Sequence, residues 1–192
     1  MVYTAEPDPL CYTGTTVLKN KMGLRRQDDL DEFELAMFLT RADEDWPSGD
    51  LDYGHYKALH RHLFQDVYQW AGKPRTIRIG KGGNWFCYPE YIDREMLRIF
   101  SALAASDHLV GLAPQEFAEK APHVLAEINA VHPFREGNGR TQLAFLSLLA
   151  ENAGMSFDDD VLVQDRVIQA MIDSFSGDEK PLAKLIRAIV GG

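Results

Sequence analysis

Apolar positions along the chain recur mostly at helical spacing. Leu30, Phe33, Leu35, Ala36, Phe38 and Leu39 repeat at an interval close to 3.6 residues and predict a first helix, for which Asp28 or Asp29 offers an N-cap. Trp46-Pro-Ser-Gly-Asp50 reads as a turn in which Asp50 caps a second helix. That helix carries Tyr56, Leu59, Leu63 and Val67 on one stripe and runs to about Trp70, where Gly72-Lys-Pro74 stops it. The pattern then changes. Thr76-Ile-Arg-Ile79 alternates, Gly80-Lys-Gly-Gly-Asn84 holds turn residues and Trp85-Phe-Cys-Tyr88 is rich in aromatics, which predicts one β-hairpin. Helical spacing returns after Pro89 with Tyr91, Met96, Leu97, Ile99, Phe100 and Leu103, then over 114–131, 139–152, 163–175 and 181–189. Residues 1–27 have no such period and are rich in Pro, Thr and Gly, so they read as an irregular lead-in. Residues 28–192 then form a single mainly α domain carrying one hairpin, without an internal repeat.

Composition narrows the partners. The 192 residues suffice for one domain with a real core, and 45% apolar with 26% charged residues is the mix of a globular protein rather than a disordered one. A formal charge of −9 argues against nucleic acid or an anionic membrane as the main partner, since both are bound by clustered Lys and Arg, yet it leaves room for a local basic pocket. Cys11 and Cys87 are too few for a disulfide framework and read as unpaired thiols of a reducing compartment. The N-terminus has neither a basic nor an apolar leader region, and the apolar run over 143–150 is too short to span a bilayer. A cytoplasmic location is the expectation.

The chemistry concentrates where the helical pattern breaks and restarts, at Asn129-Ala-Val-His-Pro-Phe-Arg-Glu-Gly-Asn-Gly-Arg-Thr-Gln142. Pro133 disfavours the α conformation at His132 and ends the preceding helix. Gly137-Asn-Gly139 tolerates positive φ and lets a ligand approach the backbone, and a helix begins immediately afterwards. A glycine-rich loop feeding a helix N-terminus is an anion site, because unpaired N–H groups and the helix dipole point at it. Arg140 has the wrong charge for that dipole and makes better sense facing a bound anion. His132 can accept a proton near neutral pH, and Glu136 is a hard oxygen ligand of the kind Mg²⁺ uses together with a substrate's phosphates. These residues point to phosphoryl or nucleotidyl transfer to a hydroxyl.

His132-Pro-Phe-Arg-Glu-Gly-Asn-Gly-Arg140 resembles the Fic family signature H-x-F-x-(D/E)-G-N-G-R at every fixed position. Leu63-Phe-Gln-Asp-Val-Tyr-Gln-Trp-Ala-Gly-Lys-Pro-Arg75 is similar to another stretch of that family, and Val17-Leu-Lys-Asn-Lys-Met-Gly-Leu24 to the lead-in of bacterial Fic toxins. The resemblance implies the Fic fold, a helical domain with a hairpin flap beside the active site, and transfer of AMP from ATP to a Ser, Thr or Tyr hydroxyl of a target protein. It implies that His132 is the catalytic base, that Phe134 anchors the loop, that Glu136 holds Mg²⁺, and that Gly137, Asn138, Gly139 and Arg140 bind the nucleotide phosphates. The hairpin, with Ile77, Ile79, Gly80 and Lys81, would be the flap that aligns the target by strand addition. The toxin likeness names ATPase subunits of type II topoisomerases as candidate targets.

One position departs from the pattern. The family signature continues with a second arginine, three residues beyond the first, and Leu143 stands there. Residues three apart share a helix face, so the pair of arginines can serve one polyphosphate, whereas Leu143 donates no hydrogen bond. A different nucleotide or diphosphate donor, or a nucleotide- and protein-binding module without turnover, stays open on this ground. The inhibitory pattern of related chains, (S/T)-x-x-x-E-(G/N), is not matched either, since Asp45 follows Thr40-Arg-Ala-Asp-Glu44. Inhibition would then come from a separate small antitoxin protein. A zinc site from His123, Glu127 and His132 is disfavoured, because His132 falls about half a turn out of phase with His123 at roughly 100° per residue.

Overall fold

The computed structural model describes residues 8–81 and 83–191; Met1–Pro7 of the expected lead-in, Gly82 of the expected turn and Gly192 lie outside the described residues. Its order is α1 (Gln27–Ala42), α2 (Tyr53–Phe64), a hairpin of β1 (Gly80–Lys81) and β2 (Asn84–Trp85), α3 (Ile92–Ala105), α4 (Pro114–Val131), α5 (Asn138–Asn152), α6 (Gln164–Phe175) and α7 (Lys180–Val190). Helix α4 is the hub and touches α3, α5, α6 and α7. Phe117, Ala118, Ala121, Leu125 and Ile128 are almost fully buried along it, and the alanines let neighbouring helices come close. The main core joins these residues to Tyr56, Phe100, Phe134 and Phe145, whose rings meet one another edge-on or stacked. A second cluster of Val17, Leu18, Leu30, Leu63, Phe64, Val67 and Tyr68 lies under the lead-in and α1.

Five of the expected elements, α3, α4, α5, α6 and α7, match their sequence pattern to within about three residues. The differences lie in the first half of the chain. Helix α1 does not bury its expected stripe, since Leu35 and Leu39 stay more than half exposed at 54% and 57%. Helix α2 is capped by Asp52, which accepts from the His55 N–H at 2.7 Å, and not by Asp50. It also ends at Phe64 rather than near Trp70. The lead-in explains this early end: Lys21 donates its backbone N–H to the Val67 carbonyl (2.9 Å) and its ammonium to the Gln65 carbonyl (2.5 Å), satisfying groups that a longer helix would have used. The lead-in is thus part of the packing, and a buried Asp8–Arg135 pair at 2.6 Å ties it to the loop after α4.

The hairpin is shorter than predicted and displaced toward its turn. Gly80 pairs with Trp85 and Lys81 with Asn84, while 76–79 is not strand. The buried Arg75 guanidinium donates to the carbonyls of Ile77 and Cys87, both at 2.6 Å, and so takes at Ile77 an acceptor that a ladder continued past the Phe86–Ile79 bond would need.

His60 is the other buried polar residue that shapes this region. The Gly72 N–H donates to its Nδ1 at 2.8 Å, so the ring proton sits on Nε2 and is donated to the Glu136 carbonyl at 3.0 Å. Its ring stacks on Phe134 with centroids 3.7 Å apart. Burial pushes its pKa down to about 3. The unfolded chain therefore binds a proton near 6.5 that the folded chain refuses, and stability should fall as pH drops below 6.5, by up to about 1.4 kcal/mol per pH unit for this residue. Urea unfolding at pH 7 and pH 5 checks this: the wild type should lose more stability on acidification than His60→Gln, and equal losses would contradict it.

Candidate active site

Helix α4 ends because His132 takes the left-handed conformation (φ 52°, ψ 64°) with Pro133 behind it. Its N–H still donates to the Ile128 carbonyl at 2.9 Å, and its carbonyl accepts from Arg75 Nε at 2.9 Å. The ring lies flat on Phe86, with centroids 3.8 Å apart and 10° between planes. Nδ1 faces the Asn129 carbonyl at 3.3 Å, and because a carbonyl only accepts, the proton belongs on Nδ1 and the lone pair on Nε2. Burial lowers the pKa of His132 to about 3, with the charges of Arg75 and Lys81 adding to the shift against the Asn129 carbonyl. At neutral pH the ring is an uncharged base.

The loop that follows is held by side chains. Phe134 is fully buried between His60 and Tyr56. Asn138 accepts from the Phe134 N–H (2.9 Å) and donates back to the Phe134 carbonyl (2.8 Å). Gly137 sits at φ +81°, and a Cβ there would strike the Phe64 ring at 2.4 Å, so glycine is required on two counts. Thr141 ties the Gly137 carbonyl with its hydroxyl at 2.9 Å. Helix α5 starts here, and the first N–H groups of a helix have no intrahelical acceptor. A Cβ built on Gly139 would meet no atom within 4 Å, which leaves space for a ligand against the backbone.

Two carboxylates, Glu136 and Glu34, flank the start of α5 and Arg140. Glu136 accepts from the Gly137 N–H at 2.9 Å and lies 3.9 Å from Arg140, and burial raises its pKa with the charge of Glu34 adding to the effect. Arg140 donates to Glu34 of α1 at 2.5 Å, and its guanidinium lies over the rings of Phe64 and Phe38 at 4.6 and 5.2 Å. The second oxygen of Glu34 accepts from the Tyr68 hydroxyl, whose own pKa is pushed upward by burial first and by Glu34 second. Glu34 is a site residue that the sequence pattern did not single out, since it is one of five acids in α1.

His132, Glu136, Gly137, Gly139 and Arg140 open on one cavity of about 620 Å³. Away from the loop its walls are apolar, built by Val167, Ile168, Met171 and Ile172 of α6 and by Leu185 and Ile186 of α7. Leu143 is half-buried in the wall one turn beyond Arg140. Asn138, by contrast, is buried and serves the loop from behind. Of the four flap residues, Lys81 reaches the cavity, Ile79 and Gly80 are buried and Ile77 is half-buried. Phe86 and Asn84 continue the flap's edge of the cavity. His123 pairs instead with Glu127 and Glu179 near the surface, and no group of three His, Cys, Asp or Glu suited to a metal ion occurs among the described residues.

Comparison with known proteins agrees with this arrangement. The profile of the Fic/DOC family matches residues 50–150. Over 189 residues the chain is 59% identical to the "Probable protein adenylyltransferase y4lH" of Sinorhizobium fredii, covering 98% of both. It is 37% identical to protein adenylyltransferase VbhT of Bartonella schoenbuchensis, covering 96% of this chain and 39% of that longer protein. Among solved structures, BepC of Bartonella tribocorum with bound AMPPNP superposes with a TM-score of 0.85 at 28% identity, over 94% of this chain and 95% of that one. The Fic domain of a Bep effector of Bartonella quintana with bound ADP gives 0.84 at 28% identity, over 94% and 93%. The chain belongs to the Fic/DOC family.

Proposed function

We propose that this protein is an adenylyltransferase that moves AMP from ATP to a Ser, Thr or Tyr hydroxyl of a target protein. The observation that carries the reading is the convergence of a neutral, oriented histidine, a helix N-terminus and a single arginine on one cavity large enough for a nucleotide. The names and bound nucleotides of the relatives and structural neighbours support it.

In this reading the base lies against the apolar walls and the α-phosphate rests at the start of α5. The target hydroxyl attacks the α-phosphorus and its proton passes to His132 Nε2. The bond from the α-phosphorus to the bridging oxygen breaks, and pyrophosphate leaves. The N–H groups of the α5 first turn and Arg140 stabilise the negative charge that builds on the phosphoryl oxygens. Burial keeps His132 free of a proton until the hydroxyl supplies one, and Asn129 holds the ring in the reactive tautomer. The Glu136 carboxylate, at the rim of the anion site and one third exposed, fits as the single protein ligand of a Mg²⁺ otherwise held by phosphate oxygens. When bound, that ion would neutralise phosphate charge. Lys81 and its neighbours Ile77, Ile79 and Gly80 are the segment on which a target strand would pair, since each strand of a two-stranded hairpin keeps one unpaired edge.

A toxin-like role in the cytoplasm is part of the proposal, with type II topoisomerase ATPase subunits as first targets to test and a separate antitoxin as the regulator to seek. No helix among the described residues is long and apolar enough to cross a membrane.

Incubating the protein with bacterial lysate, Mg²⁺ and ATP labelled on the α-phosphate should yield labelled protein bands that disappear in His132→Ala. Bands that persist in that variant would exclude His132 as the base. Glu136→Ala should lose at least tenfold in rate together with its response to Mg²⁺, and wild-type transfer at full rate in excess chelator would remove the role assigned to Glu136. The acid limb of kcat/KM should show no break near 6.5, because the base stays neutral down to about 3; a halving of kcat/KM at pH 6.5 would contradict this.

A further inference from the structure

The flap carries a charged group that the transfer step does not use. Arg78 stands just before β1, and its guanidinium carbon lies 3.9 Å from the centre of the Tyr88 ring and 4.8 Å from that of Trp85. Gly80, the partner of Trp85 across the hairpin, makes room for this stack, since a Cβ there would come within 3.1 Å of the indole. Tyr88 in turn meets Tyr91 edge-on, with centroids 6.4 Å apart. The three rings stay exposed, at 49% for Trp85, 46% for Tyr88 and 44% for Tyr91.

Arg78 differs from its neighbours in what its donors meet. Arg75 spends its donors on carbonyls, Arg94 pairs with Glu95 at 2.8 Å, and Arg98 pairs with Glu95 and Glu127. No carboxylate or carbonyl among the described residues takes Arg78, and its Nε is buried without a hydrogen-bond partner. The residue as a whole is only half-buried. The two rings thus remove water from the guanidinium without offering an acceptor, and a cation so placed gains most from an anion that arrives with a binding partner. The nucleotide is not that anion, because Arg78 is not among the residues that line the cavity.

The hairpin relates this group to the reacting hydroxyl. Side chains along a strand alternate between two faces. Lys81, Asn84 and Phe86 turn to the cavity, whereas Trp85 stands on the other face with Arg78 stacked on it. An extended target segment on the free edge of β1 presents its own residues alternately to the same two faces. When its hydroxyl turns toward His132, residues at odd spacing from that hydroxyl turn toward Arg78.

We propose that Arg78, held between Trp85 and Tyr88, takes a carboxylate of the target, so that the preferred substrates carry Asp or Glu at odd spacing from the modified hydroxyl. The inference rests on the transferase reading and deepens it. No bond is made or broken at Arg78, so its contribution falls on KM for the target and not on kcat.

Fluorescence anisotropy of capped, dye-labelled peptides on the full chain tests this without turnover. Val-Glu-Thr-Glu-Val should bind about tenfold more tightly than Val-Gln-Thr-Gln-Val, and also than Glu-Val-Thr-Val-Glu, whose carboxylates stand at even spacing. Arg78→Gln should remove that preference and Arg78→Lys should keep part of it, with ATP affinity held within about twofold as the check that the variants fold. Equal binding of the Glu and Gln peptides, binding of neither, or a preference that persists in Arg78→Gln would overturn the proposal; the comparison on the wild type decides it even if the variants do not fold. Lysate labelling adds a second readout, in which bands should weaken about tenfold in Arg78→Gln at low target concentration and recover in part in Arg78→Lys. Absence of label from the wild type with the peptide order intact would sink the transferase reading alone. Label that is undiminished in Arg78→Gln would sink this inference and leave that reading standing.

Discussion

The paired hydrogen bonds between the Asn138 side chain and the Phe134 backbone are the constraint on which the site depends. Here the carbonyls are tied from behind by side chains: Arg75 holds those of Val131 and His132, His60 that of Glu136, Asn138 that of Phe134 and Thr141 that of Gly137. Each such group left unpaired in the interior would cost about 1–3 kcal/mol, so five of them amount to a large fraction of a domain's stability. The loop is held because its acceptors are satisfied; of its donors, the Phe134 and Gly137 N–H groups are taken by Asn138 and Glu136, and the first N–H groups of α5 are the ones with no intrahelical acceptor.

Arg75 extends this logic to the hairpin. One guanidinium bonds to carbonyls of Ile77 and Cys87 on the hairpin and of Val131 and His132 at the end of α4, while the Arg75 N–H takes the Pro133 carbonyl at 2.8 Å. Phe86 adds its ring beneath that of His132. The flap and the base are therefore one mechanical unit. A strand that pairs with β1 is registered against His132 by covalent geometry and five hydrogen bonds, not by the flexible tip of a loop.

Much of this was readable in the chain. Long periodic stretches around α3, α4, α5 and α7 declare themselves because one face of each meets the core, and Pro133 with Gly137-Asn-Gly139 marks the break between α4 and α5 through backbone preferences alone. What escaped the pattern are interactions between segments far apart in sequence. Lys21 caps the end of α2 from more than forty positions away, Arg75 takes the Ile77 carbonyl that a longer hairpin would use, and Asp8 reaches Arg135 across most of the chain. Glu34 was invisible for a different reason: α1 turns this acid inward and leaves Leu35 and Leu39 facing out, so its apolar period misreports its buried face. His60 belongs to no motif of the sequence and is a buried, uncharged brace for the loop.

The Glu34–Arg140 pair bears on how an acidic protein could hold an anion, as the proposed function requires. With a formal charge of −9 the chain as a whole repels phosphate, so attraction has to be local. An isolated buried arginine would be costly and would wander between partners, whereas Glu34 fixes the guanidinium plane, with Tyr68 fixing Glu34 and the Phe64 ring lying below. A guanidinium has five N–H donors and Glu34 accepts from one of its nitrogens, so a phosphate could be added beside the carboxylate without displacing it. Under the proposed function the arginine would meet a phosphate already oriented and already stripped of much of its water, which would reduce the ordering cost of binding. The same carboxylate limits how much further negative charge the site can gather, so one residue both orients the arginine and bounds the charge beside it.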